Sequence, residues 1–127
     1  MDKHEAEQLA KPIVKKIVDC IAEKRYADLE KYAEFEDMSL ADFTWLIEGF
    51  LEINELSYMD RFGVPCTFSP QYEYHQLFCI VYRDGSGFHA DYGLTTDGEL
   101  NDLTLQMDFL YTESGAFAVK NLNAHVM

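Results

Sequence analysis

Three glycine-containing turns, Asp84-Gly85-Ser86-Gly87, Thr96-Asp97-Gly98 and Ser114-Gly115, divide the chain from Gln71 to Met127 into four strand-like runs. Each run is rich in Tyr, Phe, Val, Ile, Leu and Thr, side chains that fit a pleated, half-buried surface. Everything before Asp60 carries helical spacing instead. Helices first and a meander second define an α+β chain, not the alternation that builds a parallel nucleotide-binding sheet. The expected architecture is three N-terminal helices packed on a curved, four- to five-stranded antiparallel sheet. It forms a single domain over 1–127, helical over about 1–58 and a meander over about 71–127.

The first helix is expected from Glu5 to Lys24, where Leu9, Ile13, Ile17, Cys20 and Ile21 recur at three- and four-residue spacing. Pro12 either kinks it or sits in the first turn of a helix that begins near Lys11. A second, short helix from Tyr26 to Phe35 offers Tyr26, Leu29 and Ala33 to the core. Ser39 suits the N-cap of the third, with Asp42 where a capping box places its acid. Phe43, Leu46, Ile47, Phe50 and Leu51 then form a broad apolar face, and Trp45 lies to one side of it. Tyr58 to Pro70 reads as irregular, with at most a short strand at Cys66 to Phe68.

Along the strands, Tyr74, Phe78, Ile80 and Tyr82 are expected to share the core face with Phe88, Ala90, Tyr92, Leu94, Leu103, Leu105, Met107 and Phe109. The fourth strand begins with Phe117 and Val119 and then switches parity to Leu122, Ala124 and Val126. That switch requires a β-bulge near Lys120-Asn121, which bends the sheet. The other face would carry Leu77, Cys79, Val81, His89, Asp91, Asp108 and Leu110. An outer face is normally polar. Leu77, Cys79, Val81 and Leu110 are too apolar for that, which makes them candidate interface residues of a homodimer.

The chain has 127 residues, 48% of them hydrophobic, and 23 acidic against 10 basic residues, a formal net charge of −13. Such a field repels phosphate backbones and anionic membranes, so neither nucleic acid nor membrane is an expected partner. It draws in a basic protein or a cationic ligand. The charged start Met1-Asp2-Lys3-His4-Glu5 is followed by no continuous apolar stretch, so a signal peptide or membrane span is not expected and a cytoplasmic setting is. Cys20, Cys66 and Cys79 have no CxxC spacing and suit reduced, buried thiols. His4, His75, His89 and His125 lack metal-ligand spacing, so no metal or cofactor is expected.

His89 and Asp91 stand two residues apart on a strand, so their side chains point the same way. An imidazole held by a carboxylate is a workable general base, and Asp102 or Asp108 can supply a second acid from the next strand. The plainer account is a polar pair on the surface. Tyr72, Tyr74, His75 and Tyr82 form an aromatic run with a polar edge, suited to a binding pocket or interface and equally to an ordinary strand. Glu36 and Asp37, with Glu34, Glu52 and Glu55, offer an acidic binding surface or simply a solvated one. Gly85-Ser86-Gly87 joins two strands, so it is a hairpin turn rather than a phosphate loop.

In element order the chain resembles the nuclear-transport-factor-2-like, or cystatin-like, cone folds, in which a curved sheet wraps the helices and leaves a pocket at its open end. The segment Thr95-Thr96-Asp97-Gly98-Glu99-Leu100-Asn101-Asp102-Leu103-Thr104-Leu105 is similar to an acidic-Gly…Asp-Leu-Thr-Leu signature of uncharacterised bacterial proteins of this shape. Cone-fold enzymes carry a short strand pair between the second and third helices, where only Glu34 to Met38 stands here. None of their catalytic Asp/His positions matches this chain. The functional expectation is a small acidic cytoplasmic binding or protein-interaction module, in one version an immunity-type protein that neutralises a basic toxin domain. The alternative is a cone-fold isomerase, dehydratase or hydrolase that uses an Asp/His pair on a small molecule.

Overall fold

The computed structural model of the chain describes residues 1–63 and 76–126. Tyr72, Tyr74, His75, Cys66 and the short strand expected at Cys66 to Phe68 lie outside them. The elements are α1 (Lys3–Ala22), a 3-10 helix (Tyr26–Lys31), α2 (Leu40–Ile53), β1 (Leu77–Val81), β2 (Gly87–Thr96), β3 (Glu99–Tyr111) and β4 (Phe117–Val126). The four strands form one antiparallel sheet in the order β1-β2-β3-β4. The chain is therefore α+β, with helices ahead of a meander. No helix among the described residues is long and apolar enough to cross a membrane.

Asp2 caps α1 by accepting the Glu5 N–H at 2.8 Å. Pro12 lies inside the helix rather than at its start. The carbonyl that its ring deprives of a donor is that of Gln8, and both residues are exposed, so water can replace the lost bond. The buried stripe is Ala6, Ala10, Val14, Ile17, Val18, Cys20 and Ile21, which keeps Ile17, Cys20 and Ile21 of the expected set, while Leu9 is 46% exposed. The stripe is rotated from the expected one because small alanines let the helix backbone approach the sheet. Spacing alone does not distinguish this from a stripe of larger side chains.

The second helix ends at Lys31, short of Phe35, because Glu34 is used as a strand residue. Its N–H donates to the Val119 carbonyl and its carbonyl accepts from Leu122 N–H, both at 2.9 Å. These bonds straddle a bulge. Asp108 pairs with Lys120 and Gln106 with Asn123, so β4 advances three residues while β3 advances two. Asn121 takes up the extra residue at φ 53°, where the parity switch places it. Ser39 caps α2 by accepting the Asp42 N–H at 3.0 Å. Phe43, Ile47 and Leu51 are buried, and Trp45 is 78% exposed.

The face assignment of β1 requires correction. Cys79 lies opposite Ala90 and Ile80 opposite His89. Directly paired residues share a face, so Leu77, Cys79 and Val81 turn toward the helices and Phe78 and Ile80 turn away. Cys79 is 1% exposed and Ile80 51%. Leu77 and Val81 pack against the core. Alternation cannot set the parity of Leu77-Phe78-Cys79-Ile80-Val81, because both of its faces are apolar. Of the four proposed interface residues, Leu110 alone lies on the outer face. Leu105→Ala should cost about 2–5 kcal/mol, the transfer-plus-cavity penalty of a buried leucine. Ile80→Ala should change stability by no more than about 0.5 kcal/mol, as at other surface sites. Urea denaturation of the two variants checks the assignment, and a reversed order would restore the original parity.

Candidate functional site

The outer sheet face carries a chain of four polar side chains. Tyr82 donates its hydroxyl to Asp108 Oδ1. The same oxygen lies 2.9 Å from His89 Nδ1, and His89 Nε2 lies 2.7 Å from Asp91 Oδ1. Register explains the assembly: His89 pairs across with Asp108, and Ile80 on β1 brings Tyr82 alongside. Burial, followed by the Asp108 bond, pushes the Tyr82 hydroxyl above the ordinary tyrosine range, so it remains a donor. The expected His89–Asp91 pair is thus present, with Asp108 as its second acid and Tyr82 behind it. Both imidazole nitrogens are occupied by carboxylates. With both nitrogens so engaged, neither is left free for a further hydrogen bond in this arrangement.

A groove of about 540 Å³ opens on the opposite side, between α1, the 3-10 helix and the β3–β4 end. Leu9, Ile13, Phe109, Phe117 and Val119 wall it, with Glu30, Lys31 and Glu34 among its polar lining. His89 and Asp91 do not line it. The expected polar pair and this groove are therefore separated by the thickness of the sheet. Burial pushes the Cys79 thiol up to about 12 and the Cys20 thiol upward, so both are protonated core residues rather than nucleophiles.

The segment from Thr95 to Asn101 has a structural role. The Asp60 carboxylate accepts the backbone N–H groups of Asp97 (3.0 Å) and Gly98 (2.9 Å) and the Thr95 hydroxyl (2.8 Å). Thr96 donates to the Tyr58 carbonyl at 2.6 Å, and Asn101 donates to Thr96 at 3.0 Å and to Met59 Sδ at 2.9 Å. Asp97 and Gly98 both hold positive φ, which aims their N–H groups at one carboxylate. The segment Thr95 to Asn101 is thus a clasp for Tyr58-Met59-Asp60. Sequence periodicity does not flag Asp60, which lies outside every helix and strand.

A second carboxylate ties the same loop to α1. Asp19, 9% exposed, accepts from Lys15 at 2.6 Å and from the Phe62 N–H at 3.1 Å, with Arg61 3.8 Å away. Burial pulls its pKa up, but the Lys15 and Phe62 hydrogen bonds and the two cationic neighbours outweigh that and leave it below the ordinary carboxylate value.

Elsewhere the basic side chains are largely engaged internally. Lys24 pairs with Glu48, Arg25 with Glu23 and Asp28, Lys31 with Asp28, Arg61 with Glu23, and Lys120 with Glu34. Glu36 and Asp37 are exposed in the bend before α2, beside the β4 bulge, where the Asp37 N–H donates to Asn121 Oδ1 at 3.3 Å. The chain matches, over residues 18–127, the family described as a domain of unknown function, DUF7668, and belongs to it. No curated protein and no solved structure matches it.

Two outcomes test this geometry. Asp60→Ala should cost about 1–3 kcal/mol, because it leaves three turn donors without their acceptor. Asp60→Asn should recover little of this, since its NH2 group would face a donor. Chemical denaturation measures both. Asp19 has a folded-state pKa below its unfolded one, so its stabilisation is present above about pH 4 and is lost as pH falls through the lowered value. Unfolding free energies measured from pH 6 to pH 2 should show a flatter acid limb in Asp19→Asn than in the parent. Parallel limbs would remove Asp19 from the account.

Proposed function

We propose that the chain is an acidic, cytoplasmic protein-interaction module whose partner presents a basic surface, with neutralisation of a basic toxin domain as the concrete version. One observation carries the reading: after the internal ion pairs are formed, carboxylates outnumber the basic side chains left on the surface, which among the described residues are Lys3, Lys11, Lys16 and Arg83. Glu36, Asp37, Asp42, Glu52, Glu55 and Asp102 are exposed and form no ion pair among the described residues. Such a field raises the encounter rate with cations and repels phosphate. The closed His89 cluster supports binding over catalysis, because a general base needs a free nitrogen at the substrate. The cone-fold reading draws support from the order of helices and meander and from the β4 bulge, which bends a sheet. A homodimer would rest on Phe78, Ile80 and Leu110, large apolar side chains on the outer face among the described residues.

The test is binding to basic protein domains encoded beside the gene of this chain. Affinity should fall as salt rises, since the Debye length shortens from about 30 Å at 0.01 M to about 8 Å at 0.15 M. The loss should lie chiefly in a slower association rate. Glu36→Lys with Asp37→Lys should weaken binding further at low salt. Stopped-flow or surface-binding kinetics report both, and an affinity indifferent to salt and to the reversals would make the acidity a matter of solubility alone.

A further inference from the structure

We infer that the outward face of α2 is the docking site for a basic amphipathic helix of a partner protein, an inference that rests on the acidic-module reading and locates it. Trp45 and Ile53 are 78% and 83% exposed. Between them Gly49 carries no side chain and has open space where a Cβ would sit. Four-residue spacing stacks Trp45, Gly49 and Ile53 along one side of the helix, away from the buried Phe43, Ile47 and Leu51. An indole and an isoleucine thus flank a notch that receives a partner's apolar side chain.

The charge on this helix specifies the occupant. Asp42, Glu48 and Glu52 are its charged residues, Glu55 lies two positions beyond its end, and none is basic. Glu48 is engaged by Lys24 and Tyr26; Asp42, Glu52 and Glu55 are unpaired among the described residues. Glu52 and Glu55 stand at the negative end of the helix dipole, with no basic residue in the last turn. Glu55 also holds φ 56°, where a helix normally ends on glycine. Stability alone would favour neither choice. Round the C-terminal turn of the same helix, a depression of about 230 Å³ is walled by Phe50, Leu56 and Leu100, with Asn54, Thr96, Glu99, Asn101 and Asp102 as its polar lining. It suits a lysine or arginine, whose stem lies on apolar wall while its head meets carboxylate. An apolar stripe framed by acids on a 14-residue helix is complemented by a second helix that frames leucines with Lys and Arg.

The chain has one tryptophan, so the site reports its own occupation. The probe is a synthetic helical peptide with a leucine stripe flanked by Lys and Arg, compared with a scrambled peptide of the same composition. The expected result is a saturable blue shift of Trp45 emission, with affinity roughly tenfold above that of the scrambled peptide. Glu52→Lys, and Trp45→Ala followed by calorimetry, should each weaken it by roughly tenfold, the scale of an interface anchor. Glu113→Lys in the β3–β4 turn should leave it unchanged. The altered side chains are exposed, and circular dichroism verifies the fold. Equal affinity for the two peptides, or indifference to both α2 variants, overturns the α2 site. If that binding still weakens with salt, the acidic-module reading survives; if neither peptide binds, both fall. A dimer in sedimentation that buries Trp45 without peptide assigns the face to a second copy and also overturns the proposal.

Discussion

Two carboxylates hold the helical half of this protein to its sheet. Asp19 on α1 fixes the loop through the Phe62 N–H and Arg61, and Asp60 in the same loop fixes the β2–β3 turn through three donors. The loop between them places Phe62 on Tyr92, with ring centroids 5.2 Å apart. A carboxylate that accepts several backbone and hydroxyl donors gains charge-assisted bonds and gives up little solvation that is not replaced. Apolar burial sets how tightly the layers pack, but it is non-directional. These bonds set where along the sheet the helices sit.

The free edge of β4 is managed in the same economical way. One residue, Glu34, donates to and accepts from the strand across the bulge, and its side chain pairs with Lys120. A bulge frees backbone groups and bends the edge, which discourages pairing with another chain. Here the freed Leu122 N–H and Val119 carbonyl are satisfied within the chain. The bend that follows the 3-10 helix is thereby latched, and it carries Glu36 and Asp37 outward.

The groups that invite a chemical reading are therefore mostly committed to the fold. His89 is closed between Asp91 and Asp108, Cys20 and Cys79 are buried thiols, and the glycines at 85 and 87 serve a hairpin. Carboxylates at the surface and an uncovered aromatic on α2 remain uncommitted. Charge and exposed apolar surface together are the ingredients of recognition between proteins, where the aromatic anchors and the charges steer. The family match over residues 18–127 adds no chemistry to that reading.

The order of elements, the Ser39 cap, the β4 bulge and the faces of β2 and β3 were all legible in the sequence, because each rests on a local pattern. Periodicity, a capping hydroxyl and a break in alternation act within a few residues. So did the pairing of His89 with Asp91, two positions apart on one strand. The face of β1 was not legible, because Leu77 to Val81 is apolar at every position and only pairing with β2 decides which side turns inward. Nor was the position of α1's buried stripe, set by how closely Ala6 and Ala10 let the helix approach. Asp60 was invisible for the same reason: its partners lie 35 to 38 positions away along the chain. Local pattern determines what a segment becomes. Which side it presents, and which distant group completes it, follow only from the packed whole, because the relevant contacts do not exist until the chain has folded.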